Sequence, residues 1–272
     1  MGKRKITQRR RREQASRRHL GRPAVISALS GVIVAAIVVA LLFVVLGLSP
    51  LAGDGGEDAA PRAAIVDQLS LSAPNPEFVG EATSLLHGNG YEVDYFPGEE
   101  VTVDLYRKLP KGGYDLLILR VHSTADISRG EEDVTSVSLF TGQPYSPDQY
   151  YEEQLQGRIG FAQYTEESPK LFGITSEFVR ESMEGEFDDT VVIMMGCQGF
   201  INAQGAEAFE EKGARGFIGW DGLVSAQHTD EATALLLRHL VDGEAEPGVA
   251  IAQTMATVGP DPSFGSRLIA RP

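Results

Sequence analysis

The sequence predicts an α/β fold: a three-layer sandwich around a mostly parallel central sheet of about six strands, preceded by one transmembrane helix. From residue 63 onwards, short apolar runs rich in β-branched residues alternate with segments of helical periodicity. That alternation is typical of parallel strands joined by right-handed helical crossovers. Nearer the N-terminus, one uncharged stretch is long enough to span a bilayer.

The N-terminal region predicts a membrane anchor. Residues 1–23 form a basic tail, and Ala24–Leu48 is a run of 25 residues without a charged side chain. A bilayer core needs about 20 apolar residues, and clustered Lys and Arg hold their end of a span in the cytoplasm. We therefore expect a single-pass cell-membrane protein whose C-terminal domain is extracytoplasmic. The alternative, a cleaved signal peptide, requires an apolar region of only about 7–15 residues.

Charge limits the partners of the remaining chain. Residues 49–62 are small, acidic and turn-forming, which predicts a flexible linker, so residues 63–272 form the folded domain. The first 22 positions hold ten of the 24 basic and one of the 38 acidic side chains, which leaves 14 against 37, a formal charge of −23. So acidic a domain disfavours binding to nucleic acid.

The sequence contains no phosphate-binding loop, dinucleotide glycine signature or zinc motif, and we expect no cofactor or metal.

The first half of the domain has a β-α-β-α-β pattern. Its strands are continuous apolar runs, as buried parallel strands require, and its helices end at glycine or proline. The predicted elements are a strand at Ala63–Leu69, a helix from Asn75 to Gly88, a strand at Tyr91–Phe96, a short helix at Val101–Leu109 and a strand at Asp115–Val121.

The second half begins with a break in that rhythm, a small hairpin at Val134–Tyr145, and residues 146–174 have no clear pattern before the alternation resumes. Threonines are placed as helix N-caps because their hydroxyls accept from the first turn. The predicted elements are a helix at Ser176–Met183 capped by Thr175, a strand at Thr190–Met195, a helix at Gly205–Lys212, a strand at Gly216–Gly219, a helix capped by Thr229, a helix at Pro247–Val258 and an edge strand at Ser266–Ala270.

Residues with chemical potential follow the predicted strands. In open parallel sheets, ligands bind beyond the carboxyl ends of the strands. His122 follows the third strand, Cys197 the fourth, and Trp220 and Asp221 the fifth. Neighbouring strands lie about 5 Å apart, so His122 and Cys197 would project into one cleft if their strands are adjacent.

The pairing of an imidazole with a thiol has a chemical use. A thiolate is a nucleophile, and an imidazole can take the thiol proton and later protonate a leaving amine. Gly196 and Gly199 would permit a tight turn around Cys197 and expose backbone N–H groups to a developing oxyanion. The alternative is structural, since cysteine is among the most buried residue types.

Two acidic features have alternative interpretations. Asp221 could pair a basic substrate residue, with Trp220 as the wall of the pocket, or it could be a solvated or capping residue. The loop after His122 could bind calcium or a basic substrate, or it could simply be solvated; its acidic residues are Asp126, Glu131, Glu132 and Asp133.

The order of the segments resembles the caspase-like cysteine peptidases, which include caspases, metacaspases, legumain, gingipains, clostripain, separase and the CHAT domains. Three segments carry the resemblance: LLILRVHS ending at Ser123, VSLFTGQPYS, and VVIMMGCQG around Cys197, with Cys197 lying 75 positions after His122. The later segments KGARGFIGWD and TDEAT, and a helix predicted at Phe172–Thr175, are also similar to CHAT-like sequences.

The resemblance implies a cysteine endopeptidase that acts on proteins or peptides. Cys197 would be the nucleophile and His122 the general base and acid, and the backbone N–H groups of Ser123 and Cys197 would form the oxyanion hole. Where this sequence has Ser123 the family usually has glycine, and Gly196 before the cysteine is a second departure. These departures keep open a catalytically inactive binding or sensor domain on the same fold. A hydrolase of another kind would need a nucleophile motif such as Gly-x-Ser-x-Gly, which is absent.

Overall fold

The computed structural model describes residues 60–125, 137–200 and 203–271. The described residues belong to one compact unit, Ala60–Pro272. The basic tail, the predicted transmembrane helix at 24–48 and most of the predicted linker lie outside the described residues. Within the described ranges, no helix is both long enough and apolar enough to cross a membrane.

The described residues form ten strands in two sheets. The six-stranded sheet has the order β10-β9-β8-β3-β1-β2, and the four-stranded sheet has the order β4-β5-β7-β6. The strands are β1 (Arg62–Asp67), β2 (Glu92–Pro97), β3 (Leu116–Arg120), β4 (Ser123–Ala125), β5 (Val137–Pro144), β6 (Ile159–Ala162), β7 (Leu171–Ile174), β8 (Val191–Met194), β9 (Gly216–Trp220) and β10 (Leu268–Arg271).

The large sheet confirms the predicted α/β class and the mostly parallel sheet of six strands. Every neighbouring pair in it is parallel except β9–β10, which is antiparallel at one edge. β3 and β8 are buried along their whole length, as expected for strands covered on both faces. The domain's first strand begins at Arg62, one residue before the predicted start.

Helices cover both faces of this sheet. The first, sixth and seventh helices pack on one apolar cluster, and the second, fourth and fifth pack on the other. The helices are α1 (Pro76–Gly88), α2 (Val103–Lys108), α3 (Tyr151–Leu155), α4 (Ser176–Glu181), α5 (Gln204–Glu211), α6 (Ala226–Leu237) and α7 (Pro247–Val258), with a π-helical turn at Arg238–Asp242 and 3-10 turns at Gln68–Leu71, Gly98–Glu100 and Leu109–Gly112.

The four-stranded antiparallel sheet was only partly predicted. The expected hairpin at Val134–Tyr145 corresponds to β5, whose partners are β4 and β7, and residues 134–136 lie outside the described residues. The prediction of a helix at Phe172–Thr175 is wrong, because Phe172–Ile174 belong to β7, which is paired on both sides with β5 and β6. Backbone pairing across a sheet outweighs the weak local preference of these four residues.

One helix start was also misplaced. Asn75 caps α1, with its side chain accepting from Phe78 N at 3.1 Å, as predicted. Thr229 does not cap a helix, because α6 begins three residues earlier at Ala226. The buried Thr229 hydroxyl instead donates to the carbonyl of Met195 at 2.9 Å and accepts from Trp220 Nε1 at 2.9 Å.

Candidate active site

His122 and Cys197 leave neighbouring strands at the same level. β3 and β8 are parallel partners, with Leu119 opposite Met194. His122 lies three residues after Leu119 and Cys197 lies three residues after Met194, so both follow the ends of their strands. The two strands are therefore adjacent, which is the condition under which the sequence predicted that His122 and Cys197 share a cleft. Both residues line one cavity of about 40 Å³, whose other walls are Leu69, Val121, Met195, Gly196, Val224, Ala226 and Thr229.

The half-buried imidazole of His122 is held on several sides. Its Nε2 lies 2.8 Å from Ser72 Oγ, and its backbone N–H donates to Gln68 Oε1 at 2.9 Å. Tyr164 stacks on the ring, with centroids 4.9 Å apart and planes 11° apart, and Phe140 approaches it at 5.7 Å. The ring therefore has a fixed orientation in which Nε2 is occupied and Nδ1 is the nitrogen left for proton transfer.

The surroundings of His122 favour the neutral form of the imidazole. Burial lowers the pKa of His122, and the positive charge of Arg120 lowers the pKa further. A neutral ring carries a lone pair on one nitrogen, which a general base requires. When Nε2 donates its proton to Ser72, that lone pair is on Nδ1.

The thiol of Cys197 is half-buried beside the loop that follows β9. Its Sγ lies 3.5 Å from both the backbone N and the backbone O of Val224. Burial raises the pKa of Cys197 and Asp261 adds to the increase, while the N–H of Val224 opposes it. The two shifts therefore favour a protonated thiol and a neutral imidazole in the resting protein. Among the described residues, no hydrogen bond joins the two groups.

Ser123 and Gly196 fit together between the two strand ends. The hydroxyl of Ser123 donates to the carbonyl of Cys197 at 2.5 Å. A Cβ at position 196 would collide with Ser123 Oγ and Val121 O. The side chain of Ser123 therefore occupies space that is free because residue 196 is a glycine. The two positions at which the sequence departs from the family that it resembles thus compensate each other.

The backbone N–H groups of Ser123 and Cys197, which were expected to form an oxyanion hole, are not used in the strand pairing of the described residues. Phe140 N donates to His122 O at 2.9 Å, so the next pair, Ser123 with Leu139, is of the non-hydrogen-bonded type and the N–H of Ser123 points away from β5. β4 is the edge strand of its sheet. No backbone carbonyl of the described chain accepts from the N–H of Cys197.

The turn after Cys197 is made by Gln198 rather than by a glycine. Gln198 adopts a left-handed conformation with φ of 60°, and its N–H donates to Gly222 O at 2.7 Å. Gly199, expected to help this turn, has an ordinary φ and would place a Cβ only in normal contact with its neighbours. The steric need for glycine therefore lies before the cysteine and not after it.

The two residues after β9 have different environments. Trp220 is fully buried, and its ring lies 5.4 Å from that of His228. This structure therefore puts Trp220 beneath the site, where it supports Thr229, and not on the wall of the cavity. Asp221 is exposed and accepts from the backbone N of Arg267 at 2.7 Å. Its role toward a basic substrate residue stays a prediction.

The sequence reasoning missed several residues around the site, among them Ser72, Gln68 and Asp261. Ser72 and Gln68 follow β1, whose carboxyl end lies beside that of β3, so the strand-end rule could have included them. Asp261 is 1% exposed, and its carboxylate accepts from Ser225 N, Ser225 Oγ and the backbone N–H groups of Ser263 and Phe264. It fixes the loop that carries Val224, and no local pattern indicated it.

No cluster of three or more His, Cys, Asp or Glu side chains suited to a metal ion occurs in the part of the chain that the structure describes. The acidic loop at residues 126–133 lies outside that part. No protein-family model matches the chain. A search of curated proteins finds no significant match either.

Proposed function

We propose that the protein is a membrane-anchored, extracytoplasmic cysteine endopeptidase of the caspase-like kind, with its anchor at residues 24–48. One observation carries the proposal: His122 and Cys197 follow adjacent parallel strands at the same register and line a common cavity. Strand-end positions of this kind are where open parallel sheets place their ligands.

The reaction begins from the neutral pair. The His122 imidazole takes the thiol proton as Cys197 Sγ attacks the peptide carbonyl, and the resulting oxyanion accepts from the N–H groups of Ser123 and Cys197. The imidazolium then protonates the leaving amine as the C–N bond breaks, leaving an acyl-enzyme. Water, deprotonated by the imidazole, attacks the thioester, and the imidazolium returns its proton to the departing thiolate.

Ser72 supports this scheme by its contact with Nε2. The imidazole carries a positive charge after it takes a proton from the thiol or from water and until it gives that proton up. An acceptor that binds Nε2–H stabilises this charged state. In the tautomer that carries its proton on Nε2, Ser72 accepts that proton's hydrogen bond and the lone pair is on Nδ1. In this scheme, Ser72 is a positioning residue and Cys197 and His122 are the catalytic residues.

The substrate class follows from charge. The chain beyond the basic tail is strongly acidic, and Asp221 is exposed after the strand that borders β8. A surface of one sign attracts and orients ligands of the other. We therefore expect cleavage beside lysine or arginine in extracytoplasmic proteins or peptides.

A second candidate is a catalytically inactive binding or sensor domain. Two observations favour it: no hydrogen bond joins His122 to Cys197, and the pKa of the buried thiol is raised rather than lowered. The missing hydrogen bond is also compatible with an active enzyme, because catalytic hydrogen bonds are often long in unliganded enzymes and shorten when substrate binds.

A cleavage assay separates them. Residues 60–272 would be incubated with a mixed fluorogenic peptide library, with Cys197→Ala, His122→Ala and His87→Ala measured in parallel; His87 is an exposed histidine on α1 and serves as the control. The peptidase predicts cleavage by the wild type and by His87→Ala, and none by the other two. Absence of cleavage by a folded wild type, or unchanged cleavage by Cys197→Ala, contradicts it.

A further inference from the structure

Arg120 is a fully buried charge at the carboxyl end of β3, two residues before His122. Its guanidinium makes two bonds of 2.8 Å to the carboxylate of Asp230, one of 2.6 Å to Asp67 and one of 2.8 Å to the carbonyl of Ala73. The two aspartates are themselves buried. A buried guanidinium is tolerated only when its donors are paired in this way.

The two aspartates are anchored further. Tyr95 Oη donates to Asp67 Oδ2 at 3.1 Å, and Asn75 Nδ2 donates to Asp230 Oδ2 at 2.9 Å. Asp67 ends β1 and Asp230 lies within α6, so Arg120 connects the central sheet to a covering helix. The network is rigid because each planar group is held by more than one partner.

Arg120 holds both ends of one short segment, residues 67–73. At the first end, Asp67 Oδ1 accepts from Arg120 and also from the backbone N–H of Ser70, which closes the 3-10 turn at Gln68–Leu71. At the other end, the carbonyl of Ala73 accepts from Arg120 Nη2.

The same segment supplies the polar side chains that contact His122. Gln68 Oε1 accepts from the histidine backbone N–H, and Ser72 Oγ contacts imidazole Nε2. Arg120 is therefore linked to the imidazole in two steps. It holds the backbone of segment 67–73 at both ends through Asp67 and Ala73, and Ser72 of that segment contacts the ring.

We infer that Arg120 is a positioning residue for the reaction: it fixes the segment 67–73, which in turn orients the His122 imidazole toward Cys197. The inference rests on the proposed peptidase function and deepens it. A buried ion pair is a poor source of net stability compared with well-packed apolar side chains. What the Arg120 network provides is therefore geometry at the strand end that carries the histidine.

The test is a double-mutant cycle with Arg120→Lys and Ser72→Ala, measured where all variants are folded. Lysine keeps the charge but loses the forked donors that bind Asp230, Asp67 and Ala73 together. We expect each single change to lower kcat at least about tenfold with little change in KM, since small misplacements of a catalytic group cost large factors. Because both act through one path, the double variant should be no slower than the slower single variant.

The matched control is Arg107→Lys. Arg107 also makes a forked, half-buried pair, with Glu153 at 2.9 and 3.0 Å, but its partners do not touch residues 67–73 or His122. Its kcat should stay within about twofold of wild type. If Arg120→Lys does not fold, Asp67→Asn, which weakens only one end of the segment, replaces it in the cycle.

A second readout separates the inference from the peptidase proposal. Nitrogen NMR of His122 reports its tautomer and pKa whether or not any peptide is cleaved. We expect Arg120→Lys and Ser72→Ala to change the tautomer balance in the same direction. An inactive wild type with this coupled response would overturn the peptidase and retain the positioning role. Independent kinetic effects, or an unchanged imidazole in Arg120→Lys, would overturn the positioning role itself.

Discussion

The hydroxyl of Ser123 donates a 2.5 Å hydrogen bond to the backbone carbonyl of Cys197. This bond ties the segment after β3 directly to the segment after β8. It exists because residue 196 has no side chain, and it brings together the two residues whose N–H groups are proposed to bind the oxyanion. The geometry of the candidate site therefore depends on Ser123 and Gly196, neither of which has a proposed chemical role for its side chain.

Gly196→Ala should destabilise the domain. Its Cβ would collide with Ser123 Oγ and with the backbone carbonyl of Val121, and overpacking of this kind costs about 1–3 kcal/mol. Urea unfolding measures the loss. Adding Ser123→Gly should recover part of it, since only the clash with Val121 then remains. Equal stability of Gly196→Ala and wild type would show that the two strand ends are not closely packed.

Acid should destabilise the wild type through His122. Burial and the charge of Arg120 lower the pKa of His122 in the folded state, so at acidic pH the unfolded chain binds the proton more readily than the folded chain does. The resulting stability is present above the unfolded pKa of about 6.5 and is lost as pH falls through the lower folded value.

The measurement is urea unfolding at a series of pH values between 7 and 5. His122→Gln should show a smaller loss of unfolding free energy than the wild type over this range, whereas His87→Gln should behave as the wild type does. Identical pH profiles for the wild type and His122→Gln would mean that the imidazole gains a proton as easily when folded as when unfolded.

The thiol should react slowly at neutral pH in the absence of substrate. Burial raises the pKa of Cys197, and only the thiolate is alkylated. The rate with iodoacetamide, followed by intact mass, should lie below that of a free cysteine at pH 7 and continue to rise beyond pH 9. A plateau below neutral pH would instead indicate a thiolate–imidazolium pair in the resting protein.

The sequence predicted the parts of the fold that depend on local apolar patterning. β3 and β8 are continuous apolar runs, and α7 lies between Pro247 and Gly259, so their existence and order could be predicted. Their adjacency brings His122 and Cys197 to one edge of the sheet, which the resemblance to a known family had also implied.

The missed features depend on contacts between distant segments. β6 and β7 have only four residues each and no clear alternation, and they become strands by pairing with each other and with β5. Thr229 has the composition of a cap, but its hydroxyl is used inside the fold. Ser72 lies 50 residues from His122. Its place after β1 puts it near the right edge of the sheet, but no local pattern shows that its hydroxyl reaches the ring.

Asp221 should determine a preference for basic residues. It is exposed beside the loop that contacts the thiol, and a carboxylate there would pair with lysine or arginine of a bound peptide. With a set of matched peptides, Asp221→Asn should lower kcat/KM for basic substrates about tenfold and leave neutral ones nearly unchanged, an effect of the size expected for a charged hydrogen bond. An equal loss for both classes would assign Asp221 a structural role, through its bond to Arg267.

The anchor is tested with the full chain. Residues 24–48 should retain the protein in the membrane fraction after alkaline extraction, and removal of residues 1–59 should release it. An N-terminal sequence of the mature protein that begins after residue 50 would instead establish the cleaved signal peptide.

The central claim is that His122 activates Cys197 for attack on a peptide carbonyl. A peptidyl acyloxymethyl ketone with a terminal arginine captures that reaction as a stable thioether, which intact mass spectrometry detects. The account predicts a single adduct on Cys197, none in Cys197→Ala, and labelling at least about a hundredfold slower in His122→Ala, the contribution of a positioned general base. A folded wild type that forms no adduct, or a His122→Ala variant labelled as fast as wild type, would contradict it.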